Sequence, residues 1–336
     1  ALFLQLQADV IVPLIDRDEV VAVVSAEIAG RGTLTDESRL LIAQARRAAA
    51  VGFTYLHLFR EAEIRVTVAH EVEVASAVQQ ARATGEVRHQ FARCEVIACY
   101  RPAANFGGDW WTTHELPDGR VMVAVGDVSG SGVPVALISS TVEGACETTP
   151  RILGAGFDPV AFLHLLNREV VDVGGGRYSM SCFVAVFDPE ARTVVYANAG
   201  HPFPYICRAV IAPPDAPSAS ARRPQHTELR ALVSRGTPLG VIDPMLSVAS
   251  LELVGDDVVV FYTTSLVEAR NREGQAYGER RLQRVLRQYV RSAGARACQV
   301  ILDDVRAHHG GEIGEDVTLV AVRLGVGTGA IRAAAS

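Results

Sequence analysis

The chain has 336 residues, of which 49% are hydrophobic and 21% charged, and its 32 basic and 38 acidic side chains leave a net charge of −6. That is a globular composition too apolar for a disordered chain and long enough for more than one core, with no overall attraction to nucleic acid or anionic lipid. The longest apolar runs, around Val20–Ala26 and Val258–Tyr262, are strand-sized rather than the ~18 residues of a membrane span. The sequence contains no lysine, which excludes a P-loop NTPase and a pyridoxal phosphate Schiff base.

The first thirty residues read as two short strands joined by a charged turn at Asp16–Glu19. A lone hairpin cannot bury its apolar face, so Ala1 is expected to be a fragment boundary. Thr35–Ser38 supply helix-capping chemistry, and apolar residues at helical spacing follow from Leu40 through Tyr55, Leu58, Ile64 and Val68 to about Ala83. A helix of that length needs a partner, so the stretch 36–83 is expected to form a dimerising stalk, or else two ordinary packed helices.

From Glu95 the period becomes strand-like: 96–100, 120–128, 181–188, 193–198, 247–253, 257–263 and 317–324. Helices are expected at 133–146, 159–173, 278–292 and 295–308. The turn at Asp188–Glu190 predicts a hairpin, and Pro213–Arg235, rich in Pro, Ala, Ser and Arg, a long surface loop. Strand runs separated by paired helices indicate an α+β domain of mainly antiparallel sheets covered by helices. The six dispersed cysteines include no Cys-x-x-Cys pair. Cys94 and Cys99 should face opposite sides of one strand, and all six are expected to be free thiols of a reducing cytoplasm.

Acidic residues beside glycines carry the chemistry. Asp109 ends NFGGD, Asp127 lies between an apolar strand and the turn Ser129–Gly132, and Glu315–Asp316 precede the last strand. Carboxylates brought together from separate strand ends are hard oxygen ligands suited to Mg2+ or Mn2+, whereas any one alone is an ordinary turn aspartate.

Six ordered segments, YRPAANFGGDWW, VGDVSGSGVPVALISS, VVYANAGHPFPYI, RGTPLGV, VVVFYTTSLVEARNREGQAYG and EDVTLVAVRL, resemble the SpoIIE-like branch of the metal-dependent (PPM) protein serine/threonine phosphatases. The resemblance covers residues 86–325. It implies a β-sandwich of two mainly antiparallel sheets flanked by helices. Residues 1–50 are similar to the closing part of a GAF sensor domain, 51–85 to a linker helix, and 326–336 form a tail. By this resemblance Asp127 bridges two metal ions, Val128 offers a backbone carbonyl, Glu315 and Asp109 are further metal-site residues, and Asp109 orients the attacking water. The same resemblance leaves Trp110, Ser129, His201 and Asp316 as substrate contacts or supports behind the ligands. His201 reads equally well as a packing residue.

Several positions depart from the family pattern. Thr264 stands where the family has an aspartate ligand, followed by Ser265 in place of glycine, and Ser131 replaces a Lys or His. Thr112 replaces a common aspartate, and Glu315 is one methylene longer than the usual residue, while Asp316 should point to the other face of a strand. Losing one charged ligand predicts one or two bound ions with the second site weak. Two functional readings follow: a phosphatase acting on a phosphorylated regulator such as an anti-sigma-factor antagonist, or a degenerate pseudophosphatase that binds a signalling partner. Neither reading calls for nucleic acid or membrane.

Overall fold

A computed structural model describes residues 10–16, 19–26, scattered positions between 35 and 59, and 85–101, 107–130, 132–210, 226–290, 296–311 and 313–324. The chain divides into two compact units, Ala1–Val74 and Ala75–Ser336. In the first, β1 (Val10–Asp16) pairs antiparallel with β2 (Glu19–Ala26), with a register shift between Leu14 and Ile15. The described residues from Asp36 to Arg46 are helical. Most of the expected stalk, including 60–84, lies outside the described residues.

The second unit has two sheets. β3 (Gly85–Gln90), β4 (Cys94–Arg101), β9 (Tyr205–Val210), β10 (His226–Ala231), β12 (Val258–Tyr262) and β13 (Val317–Leu324) form one, in the order β10-β9-β12-β13-β4-β3. β5 (Asp109–Glu115), β6 (Val121–Val128), β7 (Met180–Asp188), β8 (Thr193–Ala199) and β11 (Val248–Glu252) form the other, in the order β11-β8-β7-β6-β5. Every neighbouring pair is antiparallel. β10 corrects the expectation of a loop over 213–235: HTELRA alternates exposed and half-buried residues and pairs with β9. Its polar outer face hid the period in a segment read as loop by composition.

Three apolar layers hold the unit together. Between the sheets lie Val96, Val123, Val125, Phe183, Phe187, Phe261, Val320 and Val322. The outer face of the five-stranded sheet, with Met122, Ala124 and Val184, packs against α1 (Val133–Leu153) and α2 (Pro159–Gly174) through Val135, Ile138, Phe162, Leu163 and Leu166. The outer face of the six-stranded sheet, with Ile97 and Val260, packs against α4 (Gly278–Val285) and α5 (Ala297–His309) through Leu282, Val285, Ile301 and Leu302. A short helix, α3 (Thr264–Glu268), follows β12. β12 and β13 are buried along both faces because they are central strands covered on two sides, which is why they read as unbroken apolar runs. Burial of each large apolar side chain contributes about 1.5–3 kcal/mol.

Local chemistry sets the helix ends. Asp158 accepts a hydrogen bond from Ala161 N and Pro159 occupies the first helical position, so α2 begins there; Gly175 in the left-handed conformation ends it. All six cysteines are free and buried, and Cys94 and Cys99 join different layers, as alternation requires. Among the described residues no helix is long and apolar enough to cross a membrane.

Candidate active site

Three antiparallel strands set one row of side chains. Asp109 on β5 stands opposite Asp127 on β6, which stands opposite Ser181 on β7. Directly opposed residues share a face, and two residues further along, Val125 and Phe183 belong to the layer between the sheets. The row therefore lies on the inner face of the five-stranded sheet, at one end of the sandwich. The other sheet meets it there: Thr263, which extends β12, and Thr318 on β13 both donate to Asp109 Oδ2, at 2.7 and 2.8 Å.

Two glycines make room for the acids. A Cβ on Gly107 would collide with the Asp316 carboxylate, and one on Gly108 would meet the Val128 carbonyl oxygen and, at 2.7 Å, Asp127 Oδ1. Gly108 thus leaves open a cradle whose walls are a carboxylate and a backbone carbonyl. It is held by Val128 N donating to Gly108 O at 3.0 Å and by the buried Ser139 hydroxyl donating to the same oxygen at 3.3 Å.

Asp316 differs from its expected orientation. β13 begins at Val317, so strand alternation does not govern the residue before it. Its buried carboxylate accepts from Asp109 N at 3.4 Å and adjoins the Tyr100 hydroxyl, while its backbone oxygen accepts from Ser265 Oγ. Glu315 is exposed, and its charge acts on Asp127 after that of Asp316.

The electrostatics follow from this crowding. Burial, and then the charges of Asp316 and Glu315, push Asp127 up to about 6. Burial and the Asp127 charge hold Asp109 well above the usual carboxylate range, against the two threonine hydroxyls that favour its ionised form. Both charged groups acting on Asp127 are acidic. Among the described residues no three His, Cys, Asp or Glu side chains close into a ready metal cage. The donor set nevertheless fits a divalent cation: hard oxygens, excess negative charge, and a cradle that a Cβ would fill.

The other predicted residues are placed as follows. Trp110 is 2% exposed and packs in the layer under α1 and α2, its ring 2.5 Å from where a Gly126 Cβ would stand. His201 is buried, its Nδ1 is 2.9 Å from Ser181 Oγ, and Asn198 bonds its backbone at both ends. Burial lowers it to about 3, which favours the neutral imidazole. Ser129 is exposed at the turn, held to Ser179 by backbone and hydroxyl bonds. Thr264 begins α3 and is half-buried, and the Ser131 position lies outside the described residues. Thr263 and Thr318 were missed by sequence reasoning, because a threonine in a strand reads simply as a β-branched residue.

A sandwich of two antiparallel sheets with helices on both outer faces and a carboxylate cluster at one end defines the architecture of a PP2C-type phosphatase. Residues 117–325 match the model of the stage II sporulation protein E family, and the chain belongs to that SpoIIE family of PPM phosphatases. It is 25% identical over 263 residues to the phosphoserine phosphatase RsbU of Bacillus subtilis (strain 168), covering 77% of this chain and 72% of that protein. The RsbU and RsbW domains of Rv1364c from Mycobacterium tuberculosis are 27% identical with a TM-score of 0.58; the match covers 73% of this chain and 64% of the Mycobacterium chain. The SiaA-PP2C domain of Pseudomonas aeruginosa shares the fold, with a TM-score of 0.58 at 18% identity, covering 79% of this chain and 98% of that domain.

Proposed function

We infer that the protein is a Mg2+- or Mn2+-dependent phosphatase that hydrolyses phosphoserine or phosphothreonine on a regulatory protein, such as an anti-sigma-factor antagonist. The single observation that carries this reading is the juxtaposition of Asp109, Asp127, Asp316 and the Val128 carbonyl around Gly107 and Gly108. Asp127 and the Val128 carbonyl would hold the first cation, with Asp109, Asp316 and Glu315 supplying further oxygens. When bound, such ions supply Lewis acidity that activates water and neutralises charge on the phosphoryl group. The acids themselves bind and orient. Without a cation their summed charge repels a phosphomonoester dianion, so substrate binding is conditional on metal. Thr264, lacking the charge of an aspartate, favours one firmly held ion and a weaker second.

The same residue supports a second reading, a pseudophosphatase that binds a phosphoprotein without turning it over. Hydrolysis of p-nitrophenyl phosphate with Mn2+ separates the two. The enzyme reading expects turnover abolished by chelator and by Asp127→Asn; no turnover at millimolar Mn2+ with partner binding retained would establish the second. The apolar periodicity through 36–83 supports a homodimer joined by the linker, with the segment before residue 50 acting as the sensor end.

A further inference from the structure

Asp109 is buried at the end of the sandwich where the acids gather. Its Oδ2 accepts two hydrogen bonds, from Thr263 Oγ1 and Thr318 Oγ1. Both threonines are fully buried, and Thr263 Oγ1 also accepts from Thr318 N at 3.0 Å. We propose that Thr263 and Thr318 form a hydroxyl bracket that positions Asp109, fixing Oδ2 so that Oδ1 is the oxygen presented to the cation. This rests on the metal-dependent reading above.

Two features show that these hydroxyls are committed to the acid. Thr263 occupies the N-cap of α3, where a threonine hydroxyl ordinarily accepts from the first turn of its own helix, but no side-chain capping bond is made. Its hydroxyl instead crosses to the other sheet. Thr318 sits in the apolar run VTLVAVRL, its neighbours Val320 and Val322 in the inter-sheet layer. Valine has almost the same shape and would fill that position, whereas the threonine brings a polar group into an apolar layer, where it requires a partner. The partner is Asp109. Because the threonines come from the six-stranded sheet and Asp109 from the five-stranded one, the bracket also ties the two sheets at the end where the oxygens gather. Asp109 then keeps one orientation despite its crowding by Asp127 and Asp316, the charges that act on it.

Thr263 and Thr318 are positioning residues, so the test separates hydroxyl from shape. Mn2+ affinity is measured by calorimetry on the full chain, with melting in chelator as a check on folding, for Thr318→Val, Thr318→Ser, Thr263→Val and Thr263→Ser. Groups that orient metal ligands typically change affinity about 10–100-fold when removed. The valine variants should bind Mn2+ at least about tenfold more weakly, while the serine variants, which keep the hydroxyl, stay close to the native value. Native affinity in folded valine variants, or equal losses in serine and valine variants, would overturn the bracket while leaving the metal reading intact. Absence of Mn2+ binding in the native chain itself would overturn both.

Discussion

Replacing Asp127 by asparagine should stabilise the metal-free protein while removing its metal site. The carboxylate is half-buried beside Asp316 and Glu315, which together with burial raise it from 3.8 to about 6. A raised carboxylate pKa means that ionisation disfavours the folded state. The penalty is complete above the folded value, shrinks as pH falls through about 6, and vanishes below the unfolded value near 3.8. Two pKa units correspond to about 3 kcal/mol, and screening of a partly exposed group reduces this to about 1–2 kcal/mol. For a unit of this size each kcal/mol moves Tm by about 2–4 °C, so Asp127→Asn should melt roughly 2–8 °C above the native protein in EDTA at pH 7.5. The gap should shrink to about a third at pH 4.5, where the native carboxylate is mostly protonated but the unfolded one is not, and close only below about 3.8. With Mn2+ the order should reverse, because only the native protein gains binding energy, about 2.7 kcal/mol at a hundredfold excess over Kd. Thermal melts by circular dichroism in EDTA and in Mn2+ at the two pH values test all three statements. An asparagine variant that melts lower than native in EDTA at pH 7.5, or a gap independent of pH, would refute the account of Asp127 as a strained, like-charge-crowded acid.

Thr264→Asp puts a carboxylate between Thr263, bonded to Asp109, and Ser265, bonded to the Asp316 carbonyl, and should raise Mn2+ affinity about tenfold or more in calorimetry, at about 1.4 kcal/mol per decade, and raise turnover with it; adding Ser265→Gly would remove the hydroxyl bonded to the Asp316 carbonyl and lower the melting temperature. Light scattering at tens of micromolar should find the full chain dimeric and a version starting at Gly85 monomeric; two monomers would remove the case for a linker-mediated dimer.

Much of the scaffold is legible in the sequence. β12 and β13 announce themselves as apolar runs because they lie at the centre of a sandwich covered on both sides, and α2 announces its ends through Asp158, Pro159 and Gly175. β3 and β10 were not legible. GEVRHQ and HTELRA are edge strands with mostly polar side chains, paired on one side only, by β4 and β9, so they carry little of the apolar period that marks a strand.

At the site, the glycines of NFGGD and GDVSGSG pointed to Asp109 and Asp127, since a close backbone approach leaves a local trace in residue type. The position of Asp316 left no such trace. Alternation would turn it away from Glu315's face, but alternation holds only inside a strand, and the strand starts one residue later at Val317. Nor could sequence show that Thr263 and Thr318 reach Asp109, 154 and 209 residues away, because their spelling is that of ordinary strand residues. Sequence alone determined which segments bury and which acids stand beside glycines, since both depend on neighbours along the chain. Only the packing of one sheet on the other decided which carboxylate oxygens face one another and which hydroxyls hold them, because those contacts join strand ends that the chain itself keeps far apart.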